Sequence, residues 1–379
     1  MIKTEHKEWT NKYNPFNSWK NLVHSAHYEK ILEAEKDNSE QILPPIIINY
    51  DLTNVCNYNC NFCMFANRER TDPSGKDFRE SRASIPKGHS LTLPKLWKEW
   101  GVKAVCMGGG GDPTCHSDFY PMMKEIKKYN LDLGIPSNGY LIDNEQKWID
   151  INNSCKWIGF SIDAGNETDY EKTKGVPGKQ FYKVIDNLKG LAKTKKNLET
   201  KLDIGYKFLI EDTNYKGIYE GIKIASEIGC NTIQVRPAIS PNQVKLFAEH
   251  GDEIWEQVER GRKEFESDTF KVMGVTHKFK PNMEKKHDFE KCRATMLTST
   301  WCADGKVYMC TDTRGNDWAC LGNHFPDPQK FIKFWGSKEH WNKVNKINFK
   351  KDCDRCTLCA QNEYFEEIFM DDKMEMNLI

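Results

Sequence analysis

From residue 45 onward, short apolar runs rich in β-branched residues alternate with longer stretches of helical spacing. Strands are expected at 46–51, 104–107, 132–136, 157–162, 202–209 and 232–235, with helices between them at 92–101, 117–129, 143–152, 179–195 and 214–228. Strand and helix in alternation are the mark of βαβ units and a parallel sheet. A closed eight-stranded barrel would need two more units, and the sequence past 240 does not supply them cleanly. Residues 1–40 are polar and aromatic, with Trp9, Tyr13, Trp19 and Tyr28, and Asn17 and Ser18 are placed to cap a helix from about Trp19 to Ala34. Residues 65–90 are polar and charged and read as a long loop. The tail sets Glu363, Glu366, Glu367, Asp371, Asp372 and Glu375 among Phe365, Ile368, Phe369 and Met374, a pattern fit for a short amphipathic helix with a solvated acidic face.

Composition narrows the class. The chain of 379 residues is 38% hydrophobic and 29% charged, as expected of a globular protein of two or three domains. Its 55 basic and 55 acidic residues balance to a formal charge of zero, so no basic field draws nucleic acid to it. No apolar run approaches the ~20 residues of a membrane span, and the first residues have no apolar core of a secretory signal. The expectation is a cytoplasmic protein. Fourteen cysteines are many for that compartment, where disulfides are rare, and their clustering points to metal. Three fall at Cys56, Cys60 and Cys63, and seven lie between Cys292 and Cys359. Cys106, Cys155 and Cys230, in or beside apolar segments, read as ordinary buried thiols.

The first group stands in a turn-prone, asparagine-rich stretch just after the first strand. Thiolates so close together converge when zinc or an iron–sulfur cluster holds them. No fourth ligand lies nearby, the next candidates being His89 and Cys106. Three ligands and one open position suit a reactive metal centre, whereas a zinc knuckle or a loop of free thiols is the bland alternative. The second strand is followed by Gly108, Gly109, Gly110, Gly111 and Asp112, a run that lets backbone approach a ligand closely. The third ends in Ser137-Asn138-Gly139, the fourth in Ser161 and Asp163, and the sixth in Arg236. In parallel α/β folds, sites form at these strand ends. Strand-end hydrogen bonding for Ser161 and Asp163, and a structural ion pair for Arg236, are the competing explanations. Lys207, inside an otherwise apolar strand, is equally ambiguous.

The C-x3-C-x2-C stretch with Phe62 before its last cysteine resembles the radical S-adenosylmethionine (radical SAM) superfamily. The resemblance implies an α/β fold built on a partial (β/α)6 TIM-type barrel. It implies a [4Fe–4S] cluster on Cys56, Cys60 and Cys63 whose fourth iron binds SAM. Phe62, Gly109, Gly110, Gly111, Asp112, Ser137, Asn138, Ser161 and Arg236 become candidates to contact SAM or substrate. The family usually has glutamate where this chain has Asp112, which shortens that reach by one methylene. Cys115 stands where the family has an apolar residue.

The later cysteines resemble the SPASM or twitch module of such enzymes, a small cysteine-rich α+β unit. Cys292, Gly305, Cys310, Gly322-Asn323, Cys353 and Cys356 match its pattern, while the distal C-x2-C-x2-C departs from the full one. An auxiliary [4Fe–4S] cluster on Cys292, Cys310, Cys353 and Cys356 is thereby implied. Cys359 is an alternative to either distal ligand, and Cys302 with Cys320 would serve a second cluster if one existed. The domains expected are an N-terminal helical extension (1–44), the core barrel (45–285), and the cysteine module with its acidic tail (286–379). The activity implied is reductive cleavage of SAM to a 5′-deoxyadenosyl radical and hydrogen abstraction from a peptide or small molecule, for oxidation or crosslinking. Flavodoxin or ferredoxin would donate the electron, and Asp163 and Lys207 are the candidates for a catalytic base. The rival is a non-catalytic iron–sulfur or zinc protein for electron transfer or scaffolding.

Overall fold

The computed structural model describes residues 18–37, 41–65, 81–238, 242–274, 289–353 and 356–370. Trp9, Tyr13 and Asn17, part of the 65–90 loop, and Asp371, Asp372, Met374 and Glu375 lie outside the described residues. Six strands follow the sequence expectation: β1 (Ile47–Tyr50), β2 (Ala104–Met107), β3 (Asp132–Ser137), β4 (Trp157–Ser161), β5 (Asp203–Ile210) and β6 (Thr232–Pro237). Each pairs in parallel with the next, so the C-terminal ends of all six point to one mouth. The helices between them are α2 (Leu93–Trp100), α3 (Phe119–Lys128), α4 (Glu145–Ser154), α5 (Glu167–Lys174), α6 (Gln180–Leu198) and α7 (Ile218–Ile228).

The sheet then grows beyond what the hydrophobic pattern announced. After α8 (Gln243–Phe265), β7 (Lys271–Gly274) adds a seventh parallel strand beside β6. On the other edge β8 (Thr298–Trp301) pairs in parallel with β1, Ile47 opposite Thr298 and Tyr50 opposite Trp301. Eight parallel strands are thus present, with the order running from β8 through β1 to β7 and the sheet left open between its ends. The hairpin of β9 (Lys306–Tyr308) and β10 (Cys320–Asn323) extends the β8 edge antiparallel, entered through Gly305 at φ +81°. β8 escaped the sequence reading because Thr-Ser-Thr-Trp is not an apolar run. It is nevertheless wholly buried; Asn49 on β1 donates to Thr298 Oγ1 at 2.9 Å, while Thr300 Oγ1 has no hydrogen-bond partner among the described residues.

Local chemistry fixes the turns. Asn144 and Asn166 cap α4 and α5 through their side chains, and Gly101, Gly175 and Gly229 end α2, α5 and α7 in the left-handed conformation. An aromatic stack of Tyr50, Trp97, Trp301 and His324 locks α2 over β1 and β8, with Trp301 and His324 5.0 Å apart. The N-terminal helix α1 (Ser25–Asp37) meets the C-terminal segment. Tyr28 stacks on Phe369 at 5.1 Å and touches Phe365, and Glu366 accepts from Arg293 and from Glu290 N, so the described part of the tail is anchored by aromatic packing and an ion pair and does not turn Glu366 out as part of a solvated face. The remaining helices are α9 (Pro328–Phe334), α10 (Lys338–Asn345), α11 (Phe349–Asp352) and α12 (Cys359–Tyr364). Among the described residues no helix is long and apolar enough to cross a membrane.

Candidate active site at the barrel mouth

The chain leaves β1 through Asp51 and enters the cysteine loop. Backbone bonds stitch that loop to its neighbours. Gly111 N–H donates to Thr53 O at 3.0 Å and Asp112 N–H to Val55 O at 3.1 Å, while Asn59 and Asn61 donate to the last carbonyls of α5, Lys174 O and Thr173 O. Two glycines are required by these approaches. A Cβ on Gly111 would lie 2.1 Å from Val55 O, and one on Gly109, already at φ +132°, would lie 1.9 Å from the Asp51 carboxylate.

These loops surround a cavity of about 400 Å³. Cys56, Cys60, Cys63, Phe62, Gly109, Gly110, Gly111, Asp112, Asn138, Ser161 and Arg236 all line it. The far wall comes from the C-terminal segment: Thr311, Cys356 and Thr357. Ser137, Asp163, Lys207, Cys292, Cys310 and Cys353 are not among the lining residues.

The Asp112 carboxylate is committed to its own loops. It accepts from Thr114 N at 3.0 Å and Thr114 Oγ1 at 2.5 Å, from Ser137 Oγ at 3.0 Å, and from Asn138 N at 2.6 Å. Ser137 therefore acts through Asp112, and the short acid is a brace between the second and third strand ends. Asn138 turns its amide to Asn57 Oδ1 at 2.8 Å, with Cys56 Sγ 4.0 Å away.

Asp163 is fully buried at φ +55°. One carboxylate oxygen takes the Lys174 ammonium and the other accepts from Leu209 N at 2.7 Å. Burial alone would lower the Lys174 pKa, but Asp163 and Cys60 more than offset it and hold it above its ordinary value. Lys174 thus presents a firm positive charge beside the Cys60 sulfur and 5.3 Å from the Phe62 ring. Burial pushes the Cys60 thiol up to about 12, against the pull of Lys174, so metal must displace its proton.

A second buried ion pair ties the C-terminal segment to the mouth. Arg314 Nε and a terminal nitrogen reach the two oxygens of Asp51 at 2.7 and 3.0 Å, and its other terminal nitrogen donates to Thr311 O at 2.9 Å. Lys174, Asp51, Arg314 and the wall at Thr311 and Thr357 were missed by sequence reasoning. The one signal for the ion pair was an acid closing a buried strand, which demands a buried cation somewhere.

The thiols of Cys292, Cys310, Cys353, Cys356 and Cys359 gather below that wall. Cys310 feels Cys292, Cys353 feels both, and Cys356 feels Cys292, Cys359 and Cys310. Burial raises the thiols of Cys292, Cys310, Cys353 and Cys356, while Cys359 packs against the stacked rings of Phe289 and Phe349. Asn362 Nδ2 donates to Cys292 Sγ at 3.4 Å. Asp312 clamps the distal loop by accepting from Thr357 N at 2.6 Å and Thr357 Oγ1 at 2.8 Å. Cys302 and Cys320 turn elsewhere, Cys302 to Asp51 and Cys320 to Gly322 O. Among the described residues no three Cys, His, Asp or Glu side chains stand close enough to share a single ion.

An open parallel sheet thus brings three cysteines and a glycine-rich strand end to one mouth. The sequence model of the radical SAM superfamily matches residues 50–212. Those residues, less than half of the chain, carry a radical SAM domain, and the chain spans about 63% of the length of the first curated relatives it matches. It is 26% identical over 218 residues to a probable GTP 3′,8-cyclase of Saccharolobus islandicus strain M.14.25, covering 55% of this chain and 63% of that protein. A probable GTP 3′,8-cyclase of Pyrobaculum aerophilum is 23% identical over 69% of this chain and 83% of its own. In fold, the chain resembles Streptococcus suis SuiB bound to S-adenosylmethionine, with a TM-score of 0.61, 16% identity, and 90% of this chain and 76% of that one covered.

Proposed function

We infer that the protein binds a [4Fe–4S] cluster through Cys56, Cys60 and Cys63 and SAM beside it, and abstracts a hydrogen atom from a peptide or small-molecule substrate. The observation that carries this reading is the convergence of the three cysteines, Gly109–Gly111, Asn138 and Ser161 on one cavity of about 400 Å³. When bound, such a pair supplies one-electron reductive cleavage of SAM to methionine and a 5′-deoxyadenosyl radical. This chain's part is to fix geometry and exclude water. Asp112 braces the SAM-facing loops, Lys174 holds positive charge beside the cluster cysteines, and Phe62 and Phe65 line the cavity with apolar surface.

Cys292, Cys310, Cys353 and Cys356 are proposed to hold an auxiliary [4Fe–4S] cluster, with Cys356 reaching the cavity wall. There it would accept the substrate's second electron in an oxidation or anchor the substrate. SuiB binds a precursor peptide and the archaeal relatives' names point to a guanine nucleotide, and at 16% and 26% identity neither substrate is assigned to this chain. A reductant of the flavodoxin or ferredoxin kind is proposed as electron donor.

The test is anaerobic reconstitution with iron and sulfide, followed by SAM and dithionite. About eight irons per chain, and 5′-deoxyadenosine that disappears with Cys60→Ala, are expected. Zinc in place of iron, or a cluster that never cleaves SAM, would overturn the reading in favour of a non-catalytic metal protein.

A further inference from the structure

The far wall of the cavity hangs from one short turn. Thr311–Thr313 form a 3-10 turn that starts at Cys310 and ends at Arg314. Thr311 lines the cavity itself. Asp312 holds Thr357, another lining residue, by accepting from its backbone N–H at 2.6 Å and its hydroxyl at 2.8 Å. Thr313 Oγ1 donates to Cys310 O at 3.1 Å and lies 3.7 Å from the Cys310 sulfur. The same turn thus carries cavity wall, steadies the distal cysteine loop and packs on a member of the second cysteine group.

Arg314 fastens this turn to the barrel. One edge of its guanidinium spans both oxygens of Asp51, and the remaining terminal nitrogen donates to Thr311 O. The Asp51 carboxylate in turn lies directly behind Gly109. A Cβ on that glycine would fall 1.9 Å from it, and Gly109 lines the cavity. The ring of Phe65, also on the cavity, has its centroid 5.6 Å from the guanidinium carbon. One side chain therefore reaches, directly or through Asp51, lining residues of the glycine-rich strand end, the stretch after Cys63 and the C-terminal segment.

The contact is closed to water, with Arg314 7% exposed and Asp51 not at all. A guanidinium fork holds both carboxylate oxygens at fixed geometry, which a point charge on a flexible stem does not. Buried ion pairs add little net stability over apolar residues of the same volume, and their best-attested use is to fix register. Here the register is that of the C-terminal segment against the strand end behind which Asp51 lies.

We propose that Arg314 is a positioning residue for SAM. By holding Asp51 behind Gly109 and Thr311 on the far wall, it couples the affinity of the mouth for SAM to the seating of the C-terminal segment. The inference rests on the reading that SAM binds in this cavity. Linkage makes the coupling reciprocal: the seated segment strengthens SAM binding, and bound SAM holds the segment seated.

The experiment is anaerobic calorimetry of SAM binding to the reconstituted protein, read beside its thermal unfolding midpoint. Arg314→Met is expected to weaken SAM about 10-fold or more, within the usual range of coupling between sites. Asp51→Asn combined with Arg314→Met removes the stranded carboxylate. Its midpoint recovers, while SAM stays as weak as in the single variant because the tie to Thr311 is still missing. An affinity lost through instability alone would recover with the midpoint. Hydrogen exchange of residues 306–323 reads the reverse direction. SAM is expected to slow it in the unmutated protein and not in Arg314→Met. The proposal is overturned if Arg314→Met binds SAM as tightly as the unmutated protein, or if the double variant regains affinity along with stability. It is likewise overturned if SAM leaves exchange in that segment unchanged. Missing iron, or no SAM binding before any substitution, would count instead against the radical SAM reading.

Discussion

Replacing Arg314 by methionine removes the cation that joins the C-terminal segment to the barrel mouth. The change deletes two bonds to Asp51, at 2.7 and 3.0 Å, and one to Thr311 O at 2.9 Å. It leaves a carboxylate of zero exposure with no counter-charge. Breaking a buried pair from one side typically costs about 3–5 kcal/mol. For 379 residues, unfolding entropy of about 2.1 cal/mol/K per residue converts this to a drop of about 4–6 °C in the unfolding midpoint. The loss has a pH signature. Burial already raises the Asp51 pKa above its ordinary value, and Arg314 restrains that rise. A carboxyl raised on folding gives its full stability below the unfolded pKa and loses it as pH climbs through the folded one. Without Arg314 the folded value moves further up, so the deficit widens from acid toward neutral pH. Asp51→Asn combined with Arg314→Met removes the stranded charge and is expected to recover at least half of the loss. Thermal unfolding of the reconstituted protein at about pH 5 and about pH 8 measures both effects. A cost below about 1 kcal/mol, as for a surface pair, or a double variant no better than the single one, would refute the reasoning.

Three further outcomes are expected. Gly109→Ala, which sets a Cβ 1.9 Å from the Asp51 carboxylate at φ +132°, should destabilise by about 3 kcal/mol or more and weaken SAM binding measured by calorimetry; unchanged SAM affinity would show that this backbone does not face the cofactor. Asp112→Ala strands the donors of Thr114, Ser137 and Asn138 and should cost about 2–4 kcal/mol in urea unfolding. Asp312→Ala frees Thr357, and iron analysis should fall from about eight toward about four per chain while 5′-deoxyadenosine is still formed; full iron retention would remove the clamp from the account of the auxiliary cysteines.

Much of the site was legible in the amino-acid sequence. The cysteine loop could be read because its chemistry is local: three thiols within eight residues have few other uses. Gly109–Gly111, Asn138, Ser161 and Arg236 were legible because parallel strands deliver their ends to one mouth, and all of them line the cavity. Asp163 was a different matter. The sequence put an acid at a strand end, but the Lys174 ammonium that engages it sits at the end of a helix whose packing no local pattern states. Lys207 was visible as a charge in an apolar strand, yet its seat on Trp157 depends on glycines from three strands.

By itself the sequence determined the βαβ order, the six strands β1–β6, the cysteine spacing and the glycine-rich strand end. These rest on periodicity, turn chemistry and short-range ligand geometry, which a linear chain carries openly. Tertiary structure alone decided that β8 joins β1, that Arg314 meets Asp51 from 263 residues away, and that Thr311, Cys356 and Thr357 wall the cavity opened by Cys56, Cys60 and Cys63. Those outcomes follow from burial. An acid enclosed by the sheet must find a partner, and which partner reaches it is fixed only when the whole chain has packed.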